Sequence, residues 1–164
     1  MTEYRGAPTG AGRRVCIVAS RFNLIVTDRL VTGARRTLVD RGVSPDRIDV
    51  VYVPGAWELP LAARVACRGG YDAVVAIGCL IRGETAHFDH VSRSAMEGLA
   101  AVQAETGIPV GLGILTPDTL EQALARAGGA VGHAGVQAAE AALEMAELLA
   151  RLRDGMEGAD QADE

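Results

Sequence analysis

The sequence predicts an α/β fold, a three-layer α/β/α sandwich around a four-stranded parallel sheet. Three observations carry that prediction. Strand and helix patterns alternate from end to end. The strand candidates are short, uninterrupted apolar runs, as expected for strands covered on both faces. Between them lie helical segments with apolar residues at three- and four-residue spacing, and helical crossovers of this kind join parallel strands.

The first strand is Val15-Cys16-Ile17-Val18-Ala19. Asn23 then stands where a helix cap is needed, before a helix carrying Leu30, Ala34 and Leu38 and ending at Arg41-Gly42, with Pro45 beyond. Ile48 to Val53 is the second strand, and a helix follows from about Trp57 to Cys67, stopped by Gly69-Gly70. The third strand runs from Ala73 to Leu80. Its helix sets Phe88, Val91, Ala95, Leu99 and Val102 on one face, and Gly107 and Pro109 end it. Val110 to Leu115 is the fourth strand. Asp118 with Glu121 resembles a capping box for a helix that breaks at Gly128-Gly129. A last helix places Met145, Leu148, Leu149 and Leu152 on one side, and the acidic stretch 154–164 reads as a disordered, solvated tail. Residues 1–12 read as a flexible leading segment before a single domain spanning 13–153.

Composition narrows the function. A net charge of −5 and 49% apolar residues describe a folded globular chain with no general affinity for nucleic acid or anionic membranes. No apolar run approaches the roughly 18 residues of a membrane span, and the first dozen residues lack a signal-peptide core. Cys16, Cys67 and Cys79 are odd in number and widely spaced, which fits buried thiols in the cytoplasm better than disulfides or a zinc site. All sixteen basic residues are arginine. Without lysine, a protein-bound Schiff base is impossible, and so is the Gly-Lys-Ser/Thr ending of a phosphate loop of the Walker type. The arginine bias itself is most simply a matter of genomic base composition.

Ligands of open parallel sheets bind beyond the carboxyl ends of the strands. Those ends here are Ser20-Arg21-Phe22-Asn23, Pro54-Gly55-Ala56-Trp57-Glu58, the run Arg82 to His87, and Leu115-Thr116. The third is the most informative: a glycine turn opening a helix gathers free backbone N–H groups for an anion. His87 adds a group that titrates near neutral pH. Phe22 and Trp57 offer flat faces for a heteroaromatic ring, with rim packing as the plain alternative. Glu58 is either a ligand for ring N–H or sugar hydroxyl groups or a first-turn acid favoured by the helix dipole. His87 and His90 could share a helix face, but no third metal ligand has suitable spacing, so no metal is expected. Arg126, near a helix C-terminus, is by itself only a complement to the dipole.

Four blocks then carry a resemblance: Arg21-Phe22-Asn23; Val53-Pro54-Gly55-Ala56-Trp57-Glu58-Leu59-Pro60; Gly78 through Phe88; and Thr119 through Gly128. In order and without large gaps, from about residue 13 to 150, they resemble the 6,7-dimethyl-8-ribityllumazine synthases. The resemblance implies the flavodoxin-like form of the sandwich and a transferase of riboflavin biosynthesis. Its reaction joins 5-amino-6-(D-ribitylamino)uracil to 3,4-dihydroxy-2-butanone 4-phosphate without cofactor or metal. The position of Phe22 then stacks on the pyrimidine ring. Ala56, Trp57 and Glu58 line the ring and ribityl chain, and Leu80 and Ile81 present backbone groups. Gly83, Glu84 and Thr85 surround the phosphate, Arg126 pairs with it, and His87 moves protons.

The resemblance also implies sites between adjacent subunits of a pentamer, in some members built into sixty-subunit icosahedral shells. The uninterrupted Gly128 to Gly132 connection favours a shell, and the residues before Arg13 could add a strand to a neighbour's sheet. This chain departs from the family pattern at a few positions. Ala134 stands where many members have a lysine that contacts the substrate ring, and His133 is expected to substitute in part. Leu112 replaces a phenylalanine that often completes the stack, and Trp57 replaces another. Ala134 and Leu112 keep a second reading open, a flavin- or lumazine-binding shell-forming homologue with weak or no catalysis.

Overall fold

A computed structural model describes residues 1–160. Four strands, β1 (Val15–Ser20), β2 (Ile48–Val53), β3 (Ala73–Cys79) and β4 (Val110–Leu115), form one parallel sheet in the order β2-β1-β3-β4. Ile17 sits between Val50 and Val75, and β3 pairs with β4 from Val74↔Val110 to Cys79↔Leu115. Side chains alternate across the sheet. Val15, Ile17 and Ala19 with Val75 and Ile77 pack against helices α1 (Leu24–Asp40) and α5 (Ala134–Asp160). Cys16, Val18, Val74 and Ala76 pack against α2 (Leu59–Arg68) and α3 (His87–Thr106). With helices on both faces, this is the three-layer sandwich the sequence predicts. No described helix is long and apolar enough to cross a membrane.

Several details differ from the sequence expectation, each for a local reason. Asn23 occupies the N-cap of α1 in the left-handed conformation, but its side chain makes no cap bond. Its Nδ2 instead donates to the carbonyl of Cys79 at 2.8 Å, fastening the start of α1 to the end of β3. The turn after β2 first forms a 3-10 segment, Ala56–Glu58, and the α-helix begins only at Leu59 with Pro60 in its first turn. The capping box of α4 (Leu120–Ala125) is Thr119 with Gln122, one residue beyond the expected pair. The Gly128-Gly129 break is a small hairpin, β5 (Ala127–Gly129) against β6 (Gly132–His133).

The buried face of α5 is Ala138, Ala139, Ala142, Leu143 and Ala146, whereas Met145 is exposed. Small residues let the helix approach the sheet closely. A Cβ on Gly111 of β4 would collide with the backbone carbonyl of Ala138, so glycine is required there. The helix also continues to Asp160, past the point where the acidic composition predicts its end; 161–164 lie outside the described residues. Part of the segment before Arg13 lies against the chain's own body. Gly6 sits on the Glu144–Leu148 turn of α5, the Ala7 amide donates to Glu147, and the Gly10 amide to the Arg41 carbonyl at 2.8 Å.

Candidate active site

The site is built where the strands stop. Ladder-like bonds continue beyond the sheet: Arg21 N–H to the Val53 carbonyl at 2.8 Å, Leu80 N–H to Leu115 at 2.9 Å, and Arg82 N–H to Pro117 at 3.0 Å. The Phe22 amide donates to the hydroxyl of the buried Ser20 at 3.1 Å. With their backbones held this way, Phe22 and Trp57 stand 66% and 63% exposed. That exposure rules out simple core packing in the single chain and leaves two aromatic faces available.

Between them opens a cavity of about 620 Å³, within the range of small-molecule sites. Phe22, Ala56, Trp57, Glu58, Leu80, Ile81, Gly83, Thr85 and His87 all line it. The sequence therefore predicted most of its wall. Glu58 has one carboxylate oxygen engaged, Oε2 accepting from the Gly55 amide at 2.8 Å, which holds the turn. Both readings of Glu58 thus have a place, since the other oxygen is free of that bond.

The loop from Gly83 to Thr85 meets the start of α3 at His87. Among the described residues, the amides of Gly83, Glu84 and Thr85 have no intramolecular acceptor, and open space surrounds the Cα of Gly83. Unpaired N–H groups at a helix start can hold an anion. The Thr85 hydroxyl accepts weakly from the His87 amide at 3.4 Å. Glu84 is exposed and does not line the cavity.

Three predicted residues lie elsewhere in the single chain. Arg126 lines a second cavity with Thr116, Pro117, Gln122 and Val131. Leu112 is 54% exposed on β4 and touches neither cavity. His133 lies by α1: its Nδ1 accepts from the Val136 amide at 3.4 Å, and its ring fills the space a Cβ at Gly33 would occupy. That position gives His133 an architectural task at the start of α5.

Sequence reasoning missed Gly55, Cys79, Phe88, His90 and Val91 as cavity residues. His90 and Val91 were legible in principle, being one helical turn beyond His87. Cys79 is buried, and burial pushes its thiol up to about 11, so it is no nucleophile near neutral pH. No cluster of three or more potential metal ligands occurs among the described residues.

A family model for 6,7-dimethyl-8-ribityllumazine synthase matches residues 12–150, nearly the whole described body. The chain belongs to the 6,7-dimethyl-8-ribityllumazine synthase family. It is 49% identical over 153 residues to the 6,7-dimethyl-8-ribityllumazine synthase of Xylella fastidiosa, covering 93% of this chain and 99% of the relative. Identity to that of Gemmatimonas aurantiaca is 53% over 152 residues, covering 92% and 93%. Identity to that of Xanthomonas campestris pv. campestris is 50% over 150 residues, covering 91% and 97%. The match spans every block that lines the cavity, so the lumazine synthase resemblance read from the sequence extends over the whole site.

Proposed function

We propose that the chain condenses 5-amino-6-(D-ribitylamino)uracil with 3,4-dihydroxy-2-butanone 4-phosphate, giving 6,7-dimethyl-8-ribityllumazine, phosphate and water. One observation carries the reading beyond family membership. A single cavity combines two exposed aromatic faces, a loop of unpaired amides and an imidazole. Those are the groups needed for a flat ring, a phosphate and a proton transfer.

The aryl amine of one substrate attacks the ketone of the other, so the imine forms between substrates and no enzyme lysine is needed. Phe22 and Trp57 sandwich the pyrimidine, Ala56, Leu80 and Ile81 fill its edge, and Glu58 accepts from ribityl hydroxyls. Gly83, Glu84 and Thr85 form the rim around the phosphate. His87 relays protons during phosphate elimination and ring closure. Holding both substrates together supplies several kcal/mol of the barrier reduction, and the imidazole adds a further factor on the order of 10²–10⁴.

The second half of the site comes from an adjacent subunit. Arg126 faces a different cavity from His87 in its own chain, and Leu112 is largely exposed there, which supports this division. In a cyclic pentamer each chain offers its aromatic cavity to one neighbour and Arg126 and Leu112 to the other. The short Gly128–Gly132 connection fits pentamers assembled into a sixty-subunit shell. The buried thiols fit a cytoplasmic protein.

The test follows lumazine absorbance from both substrates, with the spontaneous rate subtracted, and sedimentation of the same sample. Product above background from a pentamer or its multiple is expected. A folded, assembled protein that gives no acceleration would overturn the enzymatic reading.

A further inference from the structure

We propose that Arg82 is a positioning residue that sets the anion-binding loop Gly83–Thr85 and joins it, through Asp118, to the turn leading to Arg126. The inference rests on the functional reading above and deepens it.

Arg82 is exposed to solvent over about half of its side chain, 48%, yet it is anchored in four directions. Its amide donates to the Pro117 carbonyl at 3.0 Å. Its Nε donates to Oδ1 of Asp118 at 2.9 Å, and its Nη1 to Oδ1 of Asp89 at 3.3 Å. The guanidinium lies over the Phe88 ring, 4.6 Å from its centroid. Each exposed ion pair alone would contribute little to stability. A planar fork used at two edges and one face fixes direction more than energy.

The four partners explain what is being positioned. Phe88 and Asp89 belong to the first turn of α3, directly after His87. Pro117 and Asp118 belong to the β4–α4 turn, and the Asp118 amide is held in turn by Gln122 Oε1 at 2.8 Å. Gln122 and Pro117 line the second cavity with Arg126, whereas Ile81 and Gly83, on either side of Arg82, line the first. One side chain therefore spans the wall between the two half-sites of a single chain. Displacing it would loosen the amides that face phosphate on one side and the Arg126 turn on the other. Errors of about 1 Å in such groups are enough to cost large factors in rate or affinity.

The experiment measures inorganic phosphate binding to the full-length assembled protein by calorimetry, then KM for each substrate, in Arg82→Ala, Arg82→Lys, Asp118→Asn and the double variant Arg82→Ala/Asp118→Asn. Arg82→Ala and Asp118→Asn should each raise the phosphate Kd and the KM of the phosphate-bearing substrate about tenfold, leaving the uracil KM within about twofold. The double variant should be no worse than Arg82→Ala, because both act through one tie. Arg82→Lys should recover only part, since an ammonium cannot reach both carboxylates while covering the ring face. Wild-type phosphate affinity in Asp118→Asn beside a raised Kd in Arg82→Ala would overturn the proposal and point to direct contact of Arg82 with phosphate. So would equal shifts of both KM values with a lowered Tm, the mark of a general structural role. Wild-type protein that binds phosphate but does not condense the substrates would remove the functional reading, and the phosphate Kd series would still decide the role of Arg82.

Discussion

The two ends of the sheet are built to opposite specifications. At the amino ends of the strands, polar groups are paired with one another. Arg14 donates to Asp49 at 3.0 Å and to the Tyr71 hydroxyl at 3.2 Å, and its guanidinium lies 4.2 Å from the Tyr71 ring centroid. The Tyr71 hydroxyl donates to the same Asp49 oxygen at 2.6 Å, and the Arg14 amide to Asp72 at 2.7 Å. This cluster ties β1 to β2 and to the start of β3. At the carboxyl ends, aromatic faces are exposed and three loop amides have no acceptor among the described residues. Stability is concentrated where no ligand comes, and unsatisfied capacity where one must. Arg82 is the exception that makes the rule useful, because its contacts at the open end hold loops that a ligand needs.

If that division holds, changes at the open end alter turnover and spare the fold. The largest effect is expected for His87→Ala, with kcat lowered by a factor on the order of 10²–10⁴ and Tm unchanged. A residual rate above background should persist, because substrate holding remains. Wild-type turnover in this variant would remove His87 from the chemistry.

Arg126→Ala should lower kcat/KM about 10- to 10²-fold, as loss of a charged hydrogen bond of ~1.5–3 kcal/mol implies. It also sharpens the comparison by asking whose cavity Arg126 serves. Assemblies refolded from equal amounts of His87→Ala and Arg126→Ala chains should regain about a quarter of wild-type activity, since a random interface pairs the two intact halves that often. Absence of any recovery would mean that both residues serve one chain's site.

At the closed end the expected effects are smaller and fall on stability. Tyr71→Phe should lower Tm by about 2–4 °C and leave kcat/KM untouched, the loss of roughly one hydrogen bond in a domain of this size. The pH dependence has a definite sign. Hydrogen bonds from Tyr71 and Arg14 hold the Asp49 carboxyl below its usual range. Its contribution is therefore present above the unfolded value of ~3.9 and is lost as pH falls through the lower folded value. The hydrogen bond to Asp49, with burial, pushes the Tyr71 hydroxyl up to about 12. Its contribution is complete below the unfolded value of ~10 and is lost as pH rises towards about 12. The stability gap between wild type and Tyr71→Phe should thus be flat from about pH 5 to 9 and close on both sides. A gap that grows in acid would break the assignment.

The smallest effect concerns the thiols. Burial pushes Cys16 and Cys79 up to about 11 and raises Cys67. Native protein at neutral pH should react with a thiol reagent far more slowly than unfolded protein, and labelling that does occur should track unfolding. Rapid native labelling of Cys79 would show the cavity floor to be open.

Much of this was legible in the residues themselves. Uninterrupted apolar runs such as Val15–Ala19 and Ala73–Cys79 identify strands buried on two faces, and the period of Phe88, Val91, Ala95, Leu99 and Val102 identifies a helix, because both patterns are local geometry. The cavity wall was legible for a related reason: in a parallel sheet every strand ends on the same side, so Phe22, Trp57 and His87 converge once the strands are placed. Exact starts and stops were less so. Both Asp118/Glu121 and Thr119/Gln122 look like capping boxes, and only the path of the chain out of β4 decides between them. Asn23 has the chemistry of a cap and lies at the cap position, but the nearness of the Cys79 carbonyl gave its side chain another partner.

By itself, then, the sequence determined the architecture, the exclusion of lysine chemistry and the residues that face one end of the sheet. Tertiary structure decided what periodicity cannot encode. The buried face of α5 is its alanine stripe, whose backbone approaches Gly111 too closely for any Cβ there, and His133 is occupied between α1 and α5. Arg126 opens on a different cavity from His87, and Arg82 reaches Asp118 across thirty-six positions of sequence. Such relations depend on distances between elements far apart in the chain, and only packing sets those distances.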